Sequence, residues 1–375
     1  ELIYKGYTIQ PYSPAAGTGL SSHELNQPGC YKIVKDLSVF ALFKVKEVSS
    51  LFSIEKPVFF AAWTTTPWTL FANTGLAVGE KINYVFVETL NPYSFEKIVL
   101  VCAKECLDRV FDDKTKKSII EKNNGGFAYK IIHSCLGAEL IGVKYEQTLK
   151  YVQPLKMSDQ AFRVVSADFV NTADGTGIVH LAPTFGADDA LVAKDAGVPP
   201  MLVDDGTGHG VPLVDLQGRF REGYGPFAGF YVKNEYYPDG EAPAKSVDVE
   251  IAIDLKTRGQ AFKVEKYQHS YPHCWRTDKP ILYYPLDSWF IKATAIKDRM
   301  AQLNKTINWK PESTGTGRFG KWLENLNDWN LSRSRFWGIP IPIWRTEDGS
   351  EERCISSVEE LSDACREAVS SGLMD

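Results

Sequence analysis

Several features that would define a class of protein are missing from this 375-residue sequence. It has no run of about 18 apolar residues, so a membrane-spanning helix is not predicted. It has no initiator Met, signal peptide or basic leader, and Glu1 already lies in strand-like sequence. We therefore expect the chain to be an excised piece of a longer protein. The sequence also lacks an excess of positive charge. Its net charge of −5 argues against broad binding of nucleic acids, DNA included.

The seven cysteines are dispersed and form no Cys-x-x-Cys pair. A secreted disulfide framework is therefore not expected, and a reducing cytoplasm is predicted. With 44% hydrophobic and 24% charged residues, the chain can form ordinary cores in two or three domains. An acidic chain can still accept one single-stranded RNA end in a pocket, because stacking and 2′-OH contacts matter more there than bulk charge.

Two patterns of organisation follow each other along the chain. Residues 1–35 are rich in small and turn-forming types and predict a connecting segment. Residues 36–240 carry short runs rich in Val, Ile, Phe and Tyr, at 38–45, 57–63, 82–88, 97–103, 163–170 and 177–182. With helices predicted only at 104–109 and 187–196, this part favours an α/β fold that is mainly a β-barrel with small helices.

The composition changes after Pro238. A mixed α/β segment is predicted for 241–345, with a helix that ends at Gly259 and another at 294–303. Residues 346–375 begin a further insertion, with the charged turn "TEDGSEER" and a helix near 357–370.

The first candidate site is "WTTTPWTL", residues 63–70. Three adjacent hydroxyls follow an apolar strand, and Pro67 stops that strand, so at least two hydroxyls share one side of a turn. A threonine-rich edge strand is the simpler interpretation, since threonine favours β structure.

The second candidate is "GTGIVHLAPTFGADD", residues 175–189. It places His180 in a short apolar strand and two aspartates after a Pro-containing loop. Taken singly, His180 is compatible with a core histidine, and Asp188 and Asp189 with a helix N-cap and a first-turn acid.

Together, the two segments resemble the editing-domain signature of isoleucyl-tRNA synthetases, a class I family. The related valyl and leucyl enzymes have Thr-Thr-Arg-Pro at the first segment, so Thr66 before Pro67 favours the isoleucyl branch. "YPHCWRTDKPILYY", "SWFIK" and "WNLSRSRFWGIPIPIW" resemble the segments that lead back to the incomplete synthetic Rossmann domain. The resemblance covers nearly the whole chain and identifies 36–240 as the editing domain.

The resemblance also implies roles for single residues. Thr64, Thr65 and Thr66 would hold the ester carbonyl, the terminal ribose and the attacking water. Asp189 would pair with the substrate ammonium, and His180 would limit side-chain size or act as a general base, the steric role being preferred. Asn73 would support the threonines, and Trp63 and Trp68 would wall the pocket or stack on the terminal adenosine, although core packing is equally compatible for Trp68.

Two departures from the family limit the activity. The His-Ile-Gly-His and Lys-Met-Ser-Lys-Ser signatures are absent, so ATP and Mg²⁺ are expected only in a full-length enzyme, and no cofactor is expected here. Many bacterial relatives have Cys-Trp-Arg-Cys where this chain has Thr277 after Cys274, and threonine is not a zinc ligand. We therefore expect no metal, as in the eukaryote-like branch of the family.

The predicted function is hydrolysis of valine mischarged onto tRNA(Ile), without aminoacylation. The expected partner is the 3′ end of tRNA(Ile) carrying valine, with valyl-adenylate as a second substrate, and a monomer is expected. Two alternatives stay open: the editing domain of a valyl or leucyl synthetase, and a non-catalytic tRNA-binding module.

Overall fold

The structure is a computed structural model that describes residues 2–46, 56–223, 225–332 and 339–374. The chain forms two compact units, residues 1–332 and residues 333–375. The division predicted from the sequence, at 35, 240 and 345, stays a prediction. Part of the predicted Rossmann segment, 333–338, lies outside the described residues.

The first unit contains short strands and short helices. Its strands are β1 (Ile3–Ser13), β2 (Thr18–Gly19), β3 (Tyr31–Lys44), β4 (Val58–Thr64), β5 (Gly75–Val78), β6 (Asn83–Leu90), β7 (Lys97–Ala103), β8 (Tyr129–Leu136), β9 (Arg163–Ser166), β10 (Ile178–Leu181), β11 (Leu202–Asp204), β12 (Gly210–Pro212), β13 (Ala261–Pro272), β14 (Leu282–Ile291) and β15 (Trp329–Asn330). Its helices are α1 (Ser22–Leu25), α2 (Leu107–Val110), α3 (Asp113–Lys122), α4 (Ala187–Asp195), α5 (Val247–Thr257), α6 (Lys297–Asn304) and α7 (Phe319–Glu324). Single 3₁₀ turns connect many of these elements.

The largest sheet has the strand order β13-β3-β4-β7-β6-β8 and is antiparallel except for the β4–β7 pair. Its central strands are buried on both faces: Val39, Ala41 and Phe43 of β3 pack in one core cluster, and Phe40 and Leu42 in another. Successive side chains of a strand point to opposite faces, so a strand buried on both faces requires a continuous apolar run. This explains "SVFALF", residues 38–43.

A three-stranded sheet, β10-β5-β9, carries the second candidate segment. β10 is antiparallel to β5, with His180 opposite Leu76, and β5 is parallel to β9. The mixed α/β class is confirmed. Hydrogen bonds among the described strands leave the six-stranded sheet open between β13 and β8, so the closed barrel stays a prediction.

Residues 1–35, predicted to be a connecting segment, contain a long strand. β1 pairs with β14 along ten residues, from Ile3 opposite Ile291 to Tyr12 opposite Leu282, in the sheet β15-β14-β1-β2. The turn-forming residues do form a turn, between β1 and β2. The sequence at Glu1 is strand-like, but the pairing of β1 was not predicted because its partner strand lies about 280 residues further along the chain.

The other predicted elements lie close to where they were expected. All six predicted strands are present, and 163–170 is shortened to β9. The helix predicted at 104–109 is a 3₁₀ turn, Lys104–Cys106, followed by α2, and α4, α5 and α6 match their predictions within a few residues. No helix in the described part of the chain is long and apolar enough to cross a membrane.

In its described residues, 339–374, the second unit is a hairpin followed by a helix. β16 (Ile343–Arg345) pairs with β17 (Glu352–Cys354), and the charged turn between them contains Gly349 at φ 69°. α8 (Val358–Ser370) is capped by the Ser357 hydroxyl, which accepts the Glu360 N–H at 3.1 Å. The predicted turn and the predicted helix are both confirmed.

Candidate functional site

The threonine segment is a turn between β4 and a 3₁₀ helix, Pro67–Ala72. β4 ends at Thr64, and Pro67, which has no N–H to donate, begins the helix. The Thr64 hydroxyl accepts the Thr66 N–H at 3.1 Å and lies 3.4 Å from the Thr66 hydroxyl. The prediction that two hydroxyls share one side of a turn is therefore confirmed.

A fourth threonine connects this turn to His180. Thr69 donates its hydroxyl proton to the Thr66 carbonyl at 2.8 Å, and its oxygen lies 3.3 Å from both the Thr66 hydroxyl and His180 Nε2. The sequence interpretation missed Thr69. Its spacing could have revealed it, because residues three apart in a 3₁₀ helix lie on the same side.

These bonds also assign the tautomer of His180. Since the only hydroxyl proton of Thr69 goes to the Thr66 carbonyl, Thr69 acts as acceptor toward His180, and Nε2 carries the ring proton. The lone pair then lies on Nδ1, which is buried and has no hydrogen-bond partner among the described residues. Burial lowers the pKa of His180 to about 4, so the ring is neutral at pH 7.

Two glycines allow the backbone before His180 to approach its neighbours closely. Gly177 has φ +74°, and a Cβ on it would lie 2.4 Å from the Ala103 Cβ. Gly175 has φ +66°, and a Cβ there would lie 3.3 Å from the Trp63 side chain. Both positions therefore disfavour any larger residue.

Asp189 lies in the first turn of α4 and faces back toward β10. Its Oδ2 accepts the Ala182 N–H at 2.8 Å. Burial raises the pKa of this carboxyl, and the Asp188 charge adds to the rise, while the Ala182 N–H lowers it. The helix N-cap is Gly186, so the interpretation of Asp188 as the N-cap was wrong: Asp188 is an exposed acid of the first turn.

A cleft of about 370 Å³ brings most of the predicted residues together. Its lining consists of Trp63, Thr64, Thr65, Phe169, Asn171, Asp174, Gly175, Thr176, Gly177, Ile178, Val179, His180 and Asp189. The two segments, more than a hundred residues apart in sequence, therefore line one cleft. Phe169, Asn171 and Asp174 were missed by the sequence interpretation, and no motif marks them.

Three of the predicted residues do not line this cleft. The Thr66 hydroxyl is bonded to Thr64 and Thr69. Asn73 is 1% exposed, accepts the Tyr145 hydroxyl at 2.7 Å and donates to the carbonyls of Gly75 and Leu181.

Trp68 is 3% exposed, and its ring packs edge-on against Phe185 at 5.0 Å. Side chains buried to this degree pack within the protein, which agrees with the core-packing interpretation of Trp68. The predicted substrate-binding roles of Asn73 and Trp68 stay predictions.

Arg109 holds a loop that contributes Asp174 and Gly175 to the lining of the cleft. Its guanidinium donates to the carbonyls of Thr172 at 3.4 Å, Ala173 at 2.6 Å and Gly175 at 3.2 Å. The planar fork of the guanidinium can reach several carbonyls at once. This side chain therefore fixes the loop that contains Asp174.

Around Cys274, where the family pattern changes, one cysteine and one histidine are neighbours in the sequence. Cys274 is buried, and the neighbouring His273 bonds the Tyr271 carbonyl through Nδ1 at 2.9 Å. Within the described residues, no three His, Cys, Asp or Glu side chains gather into a group that could hold a metal ion.

Comparison with known proteins gives consistent matches. A model of the family described as tRNA synthetases class I (I, L, M and V) matches residues 1–372. The isoleucine–tRNA ligase of Cytophaga hutchinsonii is 58% identical over 100% of this chain and 34% of its own length. That of Bacteroides fragilis is 55% identical over the same shares. The chain thus spans about a third of these relatives.

Among solved structures, the editing domain of the cytosolic leucyl-tRNA synthetase of P. falciparum is 10% identical to this chain. The match covers 62% of this chain and 100% of that domain, with a TM-score of 0.41.

Proposed function

This chain belongs to the class I tRNA synthetases (I, L, M and V), and from that membership we propose that its residues 36–240 hydrolyse valine mischarged onto tRNA(Ile). One observation carries the proposal: Thr64, Thr65, His180 and Asp189 line the same cleft. They combine hydroxyls, a neutral imidazole and one carboxylate, which suit an aminoacyl ester.

The need for such a site follows from the size of the substrates. Isoleucine and valine differ by one methylene, which a hydrophobic pocket discriminates by only about 1–3 kcal/mol, a limit known from isoleucyl-tRNA synthetases themselves. A second site that hydrolyses the smaller product corrects the remaining errors. It must bind the ammonium, limit the side chain and place a water near the ester carbonyl.

Asp189 suits the first requirement. Its carboxyl lines the cleft and has a raised pKa because of burial, so a bound ammonium would stabilise its ionised form. Its bond to the Ala182 N–H holds one oxygen in place. We assign to Asp189 a charge-assisted bond with the substrate ammonium.

The threonines suit the third requirement. The Thr64 and Thr65 side chains line the cleft, and the Thr66 hydroxyl orients that of Thr64 at 3.4 Å. Hydroxyls both donate and accept, so they can hold the ester carbonyl, the terminal ribose and a water. A threonine without an adjacent base is a poor nucleophile, so we propose direct attack by water and no acyl-enzyme.

His180 and Thr69 suit the second requirement. The bond between Thr69 and His180 Nε2 fixes the imidazole, which lines the cleft in its neutral form. A fixed ring sets a steric limit, and we propose that this limit excludes the isoleucyl side chain.

The remaining residues have supporting roles in this proposal. Trp63 walls the cleft, where a terminal adenosine can stack, whereas Trp68 and Asn73 brace the site from within the protein. The substrate is the 3′ end of tRNA(Ile) carrying valine, and valyl-adenylate presents the same ammonium and side chain. We further propose a cytoplasmic monomer, and we place ATP and Mg²⁺ in the synthetic domain because the ATP signatures are absent from this sequence.

The direct test is hydrolysis by the purified 375-residue chain. We expect release of valine from Val-tRNA(Ile), and hydrolysis of Ile-tRNA(Ile) that is slower by about tenfold or more. As a matched control, Asp254→Ala removes a carboxylate that pairs with Arg258 on α5, and should leave the rate unchanged. Activity on Thr-tRNA(Val) alone would instead support the editing domain of a related synthetase.

A second measurement separates poor tRNA docking from a missing site. A non-hydrolysable valyl-adenosine analogue should occupy the cleft in crystals, and Asp189→Asn should weaken its binding. A chain that binds tRNA, leaves the ester intact and does not bind the analogue would be a tRNA-binding module.

A further inference from the structure

A buried carboxylate lies behind the threonine turn, outside the cleft. Asp248 is in the first turn of α5, is 6% exposed and accepts the Trp68 N–H through Oδ1 at 2.9 Å. Trp68 is the second residue of the 3₁₀ helix that continues the threonine segment. Asp248 therefore anchors the backbone two residues after Thr66.

The charge of Asp248 is compensated by a buried lysine. Lys233 Nζ lies 3.9 Å from Asp248 Oδ2 and 3.1 Å from Asp36 Oδ2. Burial raises the pKa of Asp248 to about 6, against the lowering effects of Lys233 and the Trp68 N–H. Burial would lower the pKa of Lys233, but Tyr271, Asp248 and Asp36 raise it above its usual value, so the ammonium stays charged.

A buried ion pair of this kind contributes little net free energy to folding. Well-packed apolar residues of the same volume often replace a buried ion pair without loss, because desolvation offsets the attraction between the charges. What an apolar residue cannot replace is the acceptor for the Trp68 N–H. Directional positioning of that backbone is thus the distinctive contribution of Asp248.

Trp68 links this anchor to the loop that precedes Asp189. Its ring packs at 64° against Phe185, with centroids 5.0 Å apart, and its Nε1 has no hydrogen-bond partner among the described residues. Packing and the backbone bond therefore position the indole. Phe185 in turn donates its N–H to the Ala182 carbonyl at 2.9 Å, and Ala182 donates its own N–H to Asp189.

We propose that Asp248 is a positioning residue of the editing site: by fixing Trp68, it holds the threonine turn and the Asp189 loop at the spacing that hydrolysis requires. This inference rests on the proposed function. Asp248 acts through Trp68 and Phe185, and its removal should displace the hydroxyls from the ester carbonyl.

The test compares Asp248→Ala with Asp248→Asn in the 375-residue chain. Asparagine keeps an acceptor for the Trp68 N–H, whereas alanine removes it. A misplacement of about 1 Å can cost about 100-fold in rate, so we expect Asp248→Ala to lower kcat on Val-tRNA(Ile) by about 10- to 100-fold with a smaller change in KM. Asp248→Asn should stay within about threefold of wild type.

Two controls separate positioning from general stability. Ile251→Val trims a fully buried residue of the same helix, and Asp254→Ala removes a carboxylate near its C-terminal end. Both should leave kcat unchanged even where Tm falls. In parallel, amide hydrogen exchange at Trp68 should accelerate in Asp248→Ala and much less in Asp248→Asn.

The outcomes separate the two proposals. If Asp248→Ala keeps the wild-type kcat, if Ile251→Val loses kcat equally, or if exchange at Trp68 does not change, Asp248 is not a positioning residue. If the wild-type chain leaves Val-tRNA(Ile) intact, the proposed function fails instead, and unchanged exchange at Trp68 would show separately that the anchor fails as well.

Discussion

Replacing Asp189 by Asn separates the two bonds that this carboxylate makes. The carboxylate accepts the Ala182 N–H at 2.8 Å, and in the proposed function it also binds the substrate ammonium. Asparagine is nearly isosteric, and its amide oxygen can still accept the Ala182 N–H, but it carries no charge. Asp189→Asn should therefore preserve the loop and weaken binding of the substrate.

The expected loss follows from the type of bond. A hydrogen bond to a charged group contributes about 1.5–3 kcal/mol, which corresponds to about a 10- to 150-fold fall in kcat/KM on Val-tRNA(Ile). Asp189→Ala should show a similar loss and also unfold more easily. It leaves the N–H of Ala182, which is 3% exposed, unpaired at a cost of about 1–3 kcal/mol.

The assay uses a substrate without the ammonium as its internal control. N-acetylvalyl-tRNA(Ile) has no positive charge at the amino group, so wild type and Asp189→Asn should hydrolyse it at equal rates. Steady-state hydrolysis of both esters gives the coupling between the carboxylate and the ammonium. The reasoning is refuted if the kcat/KM of Asp189→Asn on Val-tRNA(Ile) stays within twofold of wild type, or if its kcat/KM falls by the same factor on both esters.

Three further predictions concern the imidazole and its surroundings. His180→Ala should raise hydrolysis of Ile-tRNA(Ile) about tenfold relative to Val-tRNA(Ile), because the ring that limits side-chain size is gone; unchanged selectivity would contradict the steric role. Because burial lowers the pKa of His180 to about 4, its neutral form persists as pH falls through 6.5, and kcat should not decrease between pH 7 and pH 6. A decrease in that range that His180→Asn abolishes would identify His180 as a base of ordinary pKa. Asn73→Ala should lower the free energy of unfolding by about 1–3 kcal/mol in denaturant titration, since it leaves the buried Tyr145 hydroxyl unpaired; a raised KM at unchanged stability would restore direct substrate contact.

Local signals in the sequence were sufficient for many elements. The apolar run of β3 predicted a strand because both of its faces are buried, and Pro67 predicted the end of β4 because it lacks an N–H. The acids after Gly186 predicted α4, although the assignment of its N-cap was wrong. Each of these signals depends on residues within one turn or one strand.

The sequence by itself determined β4 and β10, the two strands that carry the site, the turn at Pro67 and the family to which the chain belongs. Only the tertiary structure decided that β1 pairs with β14, that Thr69 orients His180 and that Asn73 is buried against Tyr145. Only the tertiary structure also revealed the Asp248 anchor, whose carboxylate lies 180 residues from Trp68. The physical reason is the same in each case: burial and hydrogen-bond partners are set by contacts between distant segments, which local propensity does not encode.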